Sequence, residues 1–309
     1  MAIRRWNKLA ILHKLETTYG TDPTPAAGNA IVAKNVTFTP MEGEEVSRDL
    51  MLPYMGNQGT AVAGEYGRIE FDVELAGSGT AGTPPKFGSL LRAAGMAETI
   101  SAGVSVEYTI VEDAVESSAI HFITDKVRHI FVGGQANIAI NYVPKAYPHI
   151  RVTYQGFLGT ITDVGTMPAV SLTGWATPRL VSKANTILIL HGWTSVAESL
   201  SLDLGNVLAP RHLIGDERMM ISDRRSTGNA VVEGRALSEI NWFNISRSRA
   251  RGALSVVHGL TAGNIATVTA PAVEVGRVSQ GQTNNIVNYS LSLALCPVAG
   301  MDEMKIAFT

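Results

Sequence analysis

The chain has 309 residues with 25 basic and 27 acidic side chains, so it is nearly neutral, and charged residues make up only 17% of it. That length is long for one β-domain and ample for two, each able to bury about two-thirds of its unfolded surface. The balance excludes a strong nucleic-acid binder, which needs clustered Lys and Arg to release counterions, and a single cysteine, Cys296, excludes an internal disulfide and a thiolate zinc site.

At the N-terminus, Arg4, Arg5 and Lys8 precede an apolar patch that His13, Lys14 and Glu16 interrupt too early for a signal peptide. No run reaches the ~20 apolar residues of a membrane span, so folding in the cytoplasm is expected. Trp6, Leu9, Leu12 and Leu15 lie among polar residues, and Asp22-Pro-Thr-Pro25 cannot continue a helix. Residues 1–30 are expected to be an arm that orders against a neighbouring subunit.

Strand patterns then dominate. They cover 31–39, 68–75, 104–111, 119–124, 127–132, 136–143 and 149–158, with Gly, Asn, Asp or Pro between them. The clearest is 68–75, where Ile69, Phe71, Val73 and Leu75 face one way and Arg68, Glu70, Asp72 and Glu74 the other. Residues 84–95 read as a helix, with prolines at the start and Gly95 past the end. Beyond a linker at 161–184 the style repeats, with strands at 186–191, 199–204, 218–222, 230–233, 253–258, 265–275 and 286–295. A second helix is expected over 235–251, closing on Gly252, with Arg247, Arg249 and Arg251 at its C-terminal end, where cations suit the dipole. Cys296, in Leu-Ala-Leu-Cys-Pro, reads as a small core residue.

The order of elements appears twice: a hairpin with a long loop, a strand, one helix, then more strands. The expected organisation is mainly β: an arm at 1–30, a first domain at 31–160, the linker, and a second domain at 185–309. Residues 1–175 carry 13 basic and 17 acidic side chains and residues 176–309 carry 12 and 10, so the halves differ in sign. Unlike charge favours contacts between unlike halves of neighbouring copies. Sparse charge and 30 glycines also suit a chain that hides surface against copies of itself.

Catalytic patterns fail on inspection. Gly77-Ser-Gly79-Thr-Ala-Gly82 fits a dinucleotide fingerprint, but Thr83-Pro84-Pro85 separates it from any helix and the preceding strand has an acidic face. Leu188-Ile-Leu-His191-Gly192-Trp193 is similar to an oxyanion-hole strand end, yet no G-x-S-x-G nucleophile elbow exists in the chain. No catalytic residue, cofactor or metal site is expected.

Several pieces, in order, carry a resemblance. They are residues 14–25 (Lys-Leu-Glu-Thr-Thr-Tyr-Gly-Thr-Asp-Pro-Thr-Pro), 74–84, 87–95 (Phe-Gly-Ser-Leu-Leu-Arg-Ala-Ala-Gly), 198–206 and 260–265. Together they resemble the major tail tube proteins of long non-contractile-tailed bacteriophages, over nearly the whole chain. The resemblance implies two tandem β-sandwich or split-barrel domains, each with one flanking α-helix. It implies inner sheets that join between neighbours into a barrel around a lumen. With two domains per chain, three copies would make a pseudo-sixfold ring. It implies a virion tail location, assembly in the host cytoplasm, and a tape measure protein, a tail terminator and distal tail or baseplate proteins as partners. Double-stranded DNA would pass through without specific binding.

A conduit for DNA must not hold it, and a Lys- or Arg-rich wall would. Glu70, Asp72 and Glu74 are the candidate lumen residues, expected to form a negative wall; Ser199, Ser201 and Asp203 are their counterparts in the second half. Residues 43–64 and 206–228 are long for hairpin connections. They hold Glu44, Glu45, Arg48, Asp49, Met51, Leu52 and Tyr54, and Arg211, Asp216, Glu217 and Arg218. These loops are expected to dock between stacked rings. The competing readings are another ring-forming tail, baseplate or cap component, and an enzyme or small-molecule binder.

Overall fold

A computed structural model describes residues 3–309. Residues 1 and 2, at the start of the expected arm, lie outside the described residues. The first half contributes β1 (Leu9–Leu15), β2 (Ala30–Ile31), β3 (Ala33–Ser47), β4 (Thr60–Glu74), α1 (Gly88–Ala93), β5 (Met96–Ser101), β6 (Ser105–Ile110), β7 (Ser118–Thr124), β8 (Val127–Tyr142) and β9 (His149–Asp163). The second contributes β10 (Thr186–Leu190), β11 (Trp193–Thr194), β12 (Ala197–Asp203), β13 (Asn206–Leu213), β14 (Asp216–Arg224), β15 (Thr227–Glu233), α2 (Trp242–Ser248), β16 (Arg251–His258), β17 (Ala266–Thr283), β18 (Ile286–Cys296) and β19 (Lys305–Phe308). The fold is mainly β, and every strand pairing is antiparallel.

Pairing, rather than chain order, exposes the plan. The first half runs β3-β4-β9-β8. The second runs β12-β15-β18-β17. Each strand of the second series occupies the place of its counterpart in the first. The two series are joined by β8 and β12, with Leu200 opposite Tyr142 and Asp203 opposite Ala139. One sheet of eight strands therefore crosses the molecule, with β3 at one edge and the far part of β17 at the other.

The repeat extends to a second layer. β1 pairs with β7, which pairs with β8. In the same way β10 pairs with β16, which pairs with β17. β8 and β17 thus serve both layers: their first parts belong to the outer layer and their second parts to the eight-stranded sheet. Each changes register at a bulge, between Val132 and Gln135 in β8 and between Val275 and Val278 in β17. A bulge bends and twists a strand, which lets it pass from one layer to the other.

One core lies beneath the eight-stranded sheet. Alternation sends Ile69, Phe71 and Val73 of β4, Ile138 and Ile140 of β8, Leu200 and Leu202 of β12, and Leu291 and Leu293 of β18 to the same side, where all are buried. Leu90 and Leu91 of α1 and Trp242 of α2 close that side. α1 is shorter than expected because Pro85 opens a turn, its carbonyl accepting from the Gly88 N–H at 2.9 Å, so the helix begins only at Gly88; Gly95, with φ +79, sits just past its end as expected. α2, seven residues long, also falls well short of the expected 235–251. Asn241 caps its start by accepting a hydrogen bond from Asn244 N, and Arg249, left-handed at φ 54, ends it well before Gly252. Arg251 belongs to β16, and Arg249 and Arg251 both pair with Glu274 at 3.0 and 3.8 Å.

Three further expectations need correction. The N-terminal segment is not an isolated arm: β1 pairs along its length with β7 of its own chain, and Ile11, Leu12 and His13 are buried. The long loops are largely strands. β3 and β4 extend as a ribbon to Ser47 and Thr60, leaving residues 48–59 as the connection. β13 and β14 form a separate hairpin closed by Ile214-Gly215, with Gly215 at φ +91, a conformation glycine adopts freely. Pro40 and Pro210 hid these strands; each sits in an edge strand, where a missing N–H is tolerated. Cys296 is only half-buried, at the end of β18.

Candidate functional site: the polar face of the eight-stranded sheet

Because side chains alternate, the face opposite the core is fixed by the registers. Asp203, Ala139, Arg151, Asp72 and Lys34 stand opposite one another in a single row across β12, β8, β9, β4 and β3. The next row holds Ser201, Asn141, His149 and Glu74. Ser201 continues across the second half to Asn229 and Ser292, and Ser199 to Val231, Ser290 and Ser279. The strands thus carry Glu70, Asp72, Glu74, Ser199, Ser201 and Asp203 to one face of one sheet. The first three and the last three come from different halves, and the β8–β12 seam brings them together.

The expected negative wall is corrected by the neighbouring strand. Arg151 of β9 reaches Glu70 at 2.6 Å and Asp72 at 3.1 Å. Arg68 also bonds Glu70, Asn35 donates to Asp72 at 2.7 Å, and Lys34 lies 3.9 Å from Glu74. Asp203 accepts from Asn137 at 2.9 Å and from the Gly205 N–H at 2.8 Å. Between the rows of Glu74 and Arg68, from β3 to β12, three cations (Lys34, Arg68, Arg151) face four carboxylates (Glu70, Asp72, Glu74, Asp203), a net charge of −1. The rest of the face is mostly Ser, Thr, Asn and Gln, with His149, Ala139 and Val231; in the second half it also carries Glu233, paired with Arg235 at 3.2 Å, and Glu274, paired with Arg249 and Arg251. It is polar and hydrogen-bonding, and close to neutral.

Glu70 is held below the usual carboxylate range. Partial burial alone would raise it, but hydrogen bonds from Arg151 and Arg68, with their charges, outweigh that. Burial likewise opposes the Arg151 charge, and bonds to Glu70 and Asp72 more than compensate. Arg151→Met should therefore cost about 2–3 kcal/mol. It leaves Asp72, which is nearly buried, without its ion pair, and the Arg151 side chain is still part-exposed, so the full cost of breaking a buried pair is not reached. Urea denaturation checks this, and adding Glu70→Gln and Asp72→Asn should recover a good part of the loss.

The other chemistry-bearing motifs have structural duties. Gly79 N donates to Gly263 O at 2.9 Å and Gly77 N to Asn264 Oδ1 at 2.7 Å, so the glycine-rich loop docks on residues 260–265. The helix that follows is six residues long and begins at Gly88, leaving no helix start against the glycines. His191 Nε2 bonds the Val273 carbonyl at 2.8 Å, and its ring stands edge-on to Trp242. No group of three or more His, Cys, Asp or Glu among the described residues could hold a metal ion. No described helix is long and apolar enough to cross a membrane.

The two ribbons lie at one end of the sheet. His212 of β13 packs edge-on to Phe157 of β9, with ring centroids 5.4 Å apart, and lies against Gly64 of β4. Glu44, Glu45, Arg48 and Asp49 of the first ribbon and Arg211, Glu217 and Arg218 of the second are exposed on them. Asp216 pairs with Arg218 at 2.8 Å. Met51 and Tyr54 are strongly exposed, and Leu52 less so.

No protein-family model matches the chain, and no curated protein matches it at a significant level.

Proposed function

We propose that the chain is a structural, non-enzymatic subunit that polymerises into stacked rings around a channel for double-stranded DNA, as a phage tail tube does. The observation that carries this reading is the eight-stranded sheet, which has a polar face of near-zero charge and two edges that repeat its internal seam. Inside the chain, β8 of the first half pairs with β12 of the second. By the repeat, β17 corresponds to β8 and β3 to β12. β17 beyond Glu274 pairs only with β18, and β3 pairs only with β4. The same joint made between chains closes a ring.

That joint can be written residue by residue from the pairings inside the chain. His149 stands opposite Glu74 and Asn141, and Asn288 stands opposite Glu233 and Gly281. Taking Glu74 and Glu233, the last residues of β4 and β15, as counterparts makes Gly281 the counterpart of Asn141. Counting the same way along β12 and β3, Thr37 is the counterpart of Ser201. Ser201 pairs with Asn141, so Thr37 should pair with Gly281 of the next copy. Three chains would give a barrel of 24 strands, which at ~4.8 Å per strand is about 37 Å across between backbones before strand tilt widens it. Such a barrel is open at its centre, and its polar inner face suits a duplex that must slide.

Negative-stain microscopy of the concentrated protein tests this reading. Long hollow rods are expected. Single rings would favour a cap or other ring-forming tail component, and a monomer at all concentrations would contradict assembly. A lumen test must spare the ion pairs of Arg151, so it belongs on the serines. Ser201→Lys with Ser292→Lys should leave rods intact and make them retain duplex DNA, with retention weakening as salt rises. Rods of this variant that ignore DNA would place the face elsewhere.

A further inference from the structure

The two ends of the eight-stranded sheet differ in charge and shape. β4 is fifteen residues long and, at ~3.3 Å per residue, spans roughly 50 Å from the ribbon end to Glu74. At the ribbon end, residues 42–65 carry Glu42, Glu44, Glu45, Asp49 and Glu65 against one cation, Arg48, a net charge of −4. The tip itself is apolar, and Met51 and Met55 are fully exposed with Tyr54 at 69%. Among the described residues nothing of this chain covers them.

The opposite end holds a cleft of about 580 Å³. It opens at the β8–β12 seam, where β8 finishes and β12 begins, and Tyr142, Ile187, Leu188, Val196, Leu200 and Val256 line it. Ile187 and Val196 are 53% and 45% exposed, so the mouth is itself apolar. Lys183 lines it, Lys145 follows the lining Pro144 and Arg179 lies two residues before the lining Val181; all three cations are exposed and none makes an ion pair among the described residues. The one carboxylate between lining residues, Glu198, accepts from Thr283 at 2.8 Å and Asn288 at 3.1 Å. The cleft's volume is within the range that holds a small molecule or a few side chains.

We infer that this cleft is the socket for residues 51–55 of a second copy stacked along the strand direction. An acidic ribbon with an apolar tip at one end fits a basic-rimmed apolar cleft at the other. Since one chain bears both at opposite ends, the contact is heterologous and propagates in one direction. The charged rims steer and orient the encounter, and the apolar tip supplies the desolvated centre. The inference rests on the tube reading and adds to it a defined axial contact, separate from the lateral β3–β17 joint.

Cross-linking tests it in the full chain with Cys296→Ser. A protein carrying Met55→Cys and Ile187→Cys should give, on mild oxidation of rods, a ladder of covalent multimers that neither single variant gives. Lys145→Glu with Lys183→Glu should raise the concentration needed for rod growth at least tenfold while leaving the fold intact by circular dichroism. Adding Glu44→Lys and Glu45→Lys should restore growth. Rods that form normally without a ladder, or charge reversal without effect, would overturn the socket and leave the tube reading standing. Failure of the unmodified chain to form rods would sink the tube reading; the absence of a ladder in concentrated protein would then refute the socket as well. Saturation of the cleft by an apolar probe such as 1-anilinonaphthalene-8-sulfonate with no effect on rod growth would also count against it.

Discussion

Of two adjacent proline substitutions on the free edge of β17, one should abolish polymerisation with the fold intact, and the other should damage the fold. In a strand, successive N–H groups point to opposite sides, so of Ser279 and Gln280 one donates toward β18 and the other toward the open edge. Both residues lie where β17 pairs only with β18. Proline removes the N–H and crowds the neighbouring strand. On the inner side it breaks a ladder bond with β18, a loss of about 1 kcal/mol for the bond and more for the local distortion. On the outer side the monomer loses nothing, because no strand is there. The loss appears only when another chain tries to pair, and it recurs at every joint of the ring. Ser279→Pro and Gln280→Pro compared by thermal unfolding and by sedimentation of polymer should therefore separate cleanly. If both variants polymerise like the parent, β17 is not the joining edge.

Stability should fall steadily as pH drops below about 6.5, well before the carboxylates titrate. Burial holds His13, His121, His129, His191 and His258 below the ordinary histidine value, and His13 is lowered to about 3. His13 sits in β1 against α1, with Nδ1 2.9 Å from the Ser89 hydroxyl and Nε2 buried without a partner, so the neutral ring is the form that fits. In His121, burial outweighs the Asp22 carboxylate 2.8 Å away. In the unfolded chain these rings protonate near 6.5, whereas in the folded chain they resist, so between those values the unfolded state binds more protons. Stability is then fully present above pH 6.5 and is lost as pH falls. Each group contributes roughly 1.4 kcal/mol per pH unit within its window. His13 alone has a window reaching down to about pH 3. Urea midpoints at pH 7.5, 6.0 and 5.0 should fall in sequence, and His13→Phe should flatten the decline by close to one proton. A midpoint unchanged between pH 7.5 and 5.0 would contradict the buried neutral histidines.

Much of the plan was legible where the physics is local. Strict alternation in 68–75 placed Ile69, Phe71 and Val73 in the core and set Glu70, Asp72 and Glu74 on the opposite face. The repeated element order anticipated two series of strands, although it could not say that β8 and β12 would join them, because that pairing links residues about 60 apart with no turn between them. Arg151 was invisible as the partner of Glu70 and Asp72 for the same reason: register across β4 and β9 is a property of the folded sheet. β1 was missed because Leu9-Ala-Ile-Leu-His-Lys-Leu does not alternate; its middle is buried on both sides, between the core and the residues behind β7. The ribbons read as loops because Gly, Pro and charged residues mark both turns and exposed two-stranded arms. The acidic ribbon with its apolar tip and the cleft are each ordinary alone, and only their placement at opposite ends gives them meaning.

The most direct test of the account is a reconstruction of the polymer that resolves strands. The account predicts three chains per ring and a wall of 24 strands with Ser201, Asn229 and Ser292 facing inward. It also predicts Thr37 paired with the neighbouring copy's Gly281 at the ~4.5–5.5 Å Cα separation of opposite residues in an antiparallel pair. Six chains per ring, or a tube with this polar face on its outside, would contradict it.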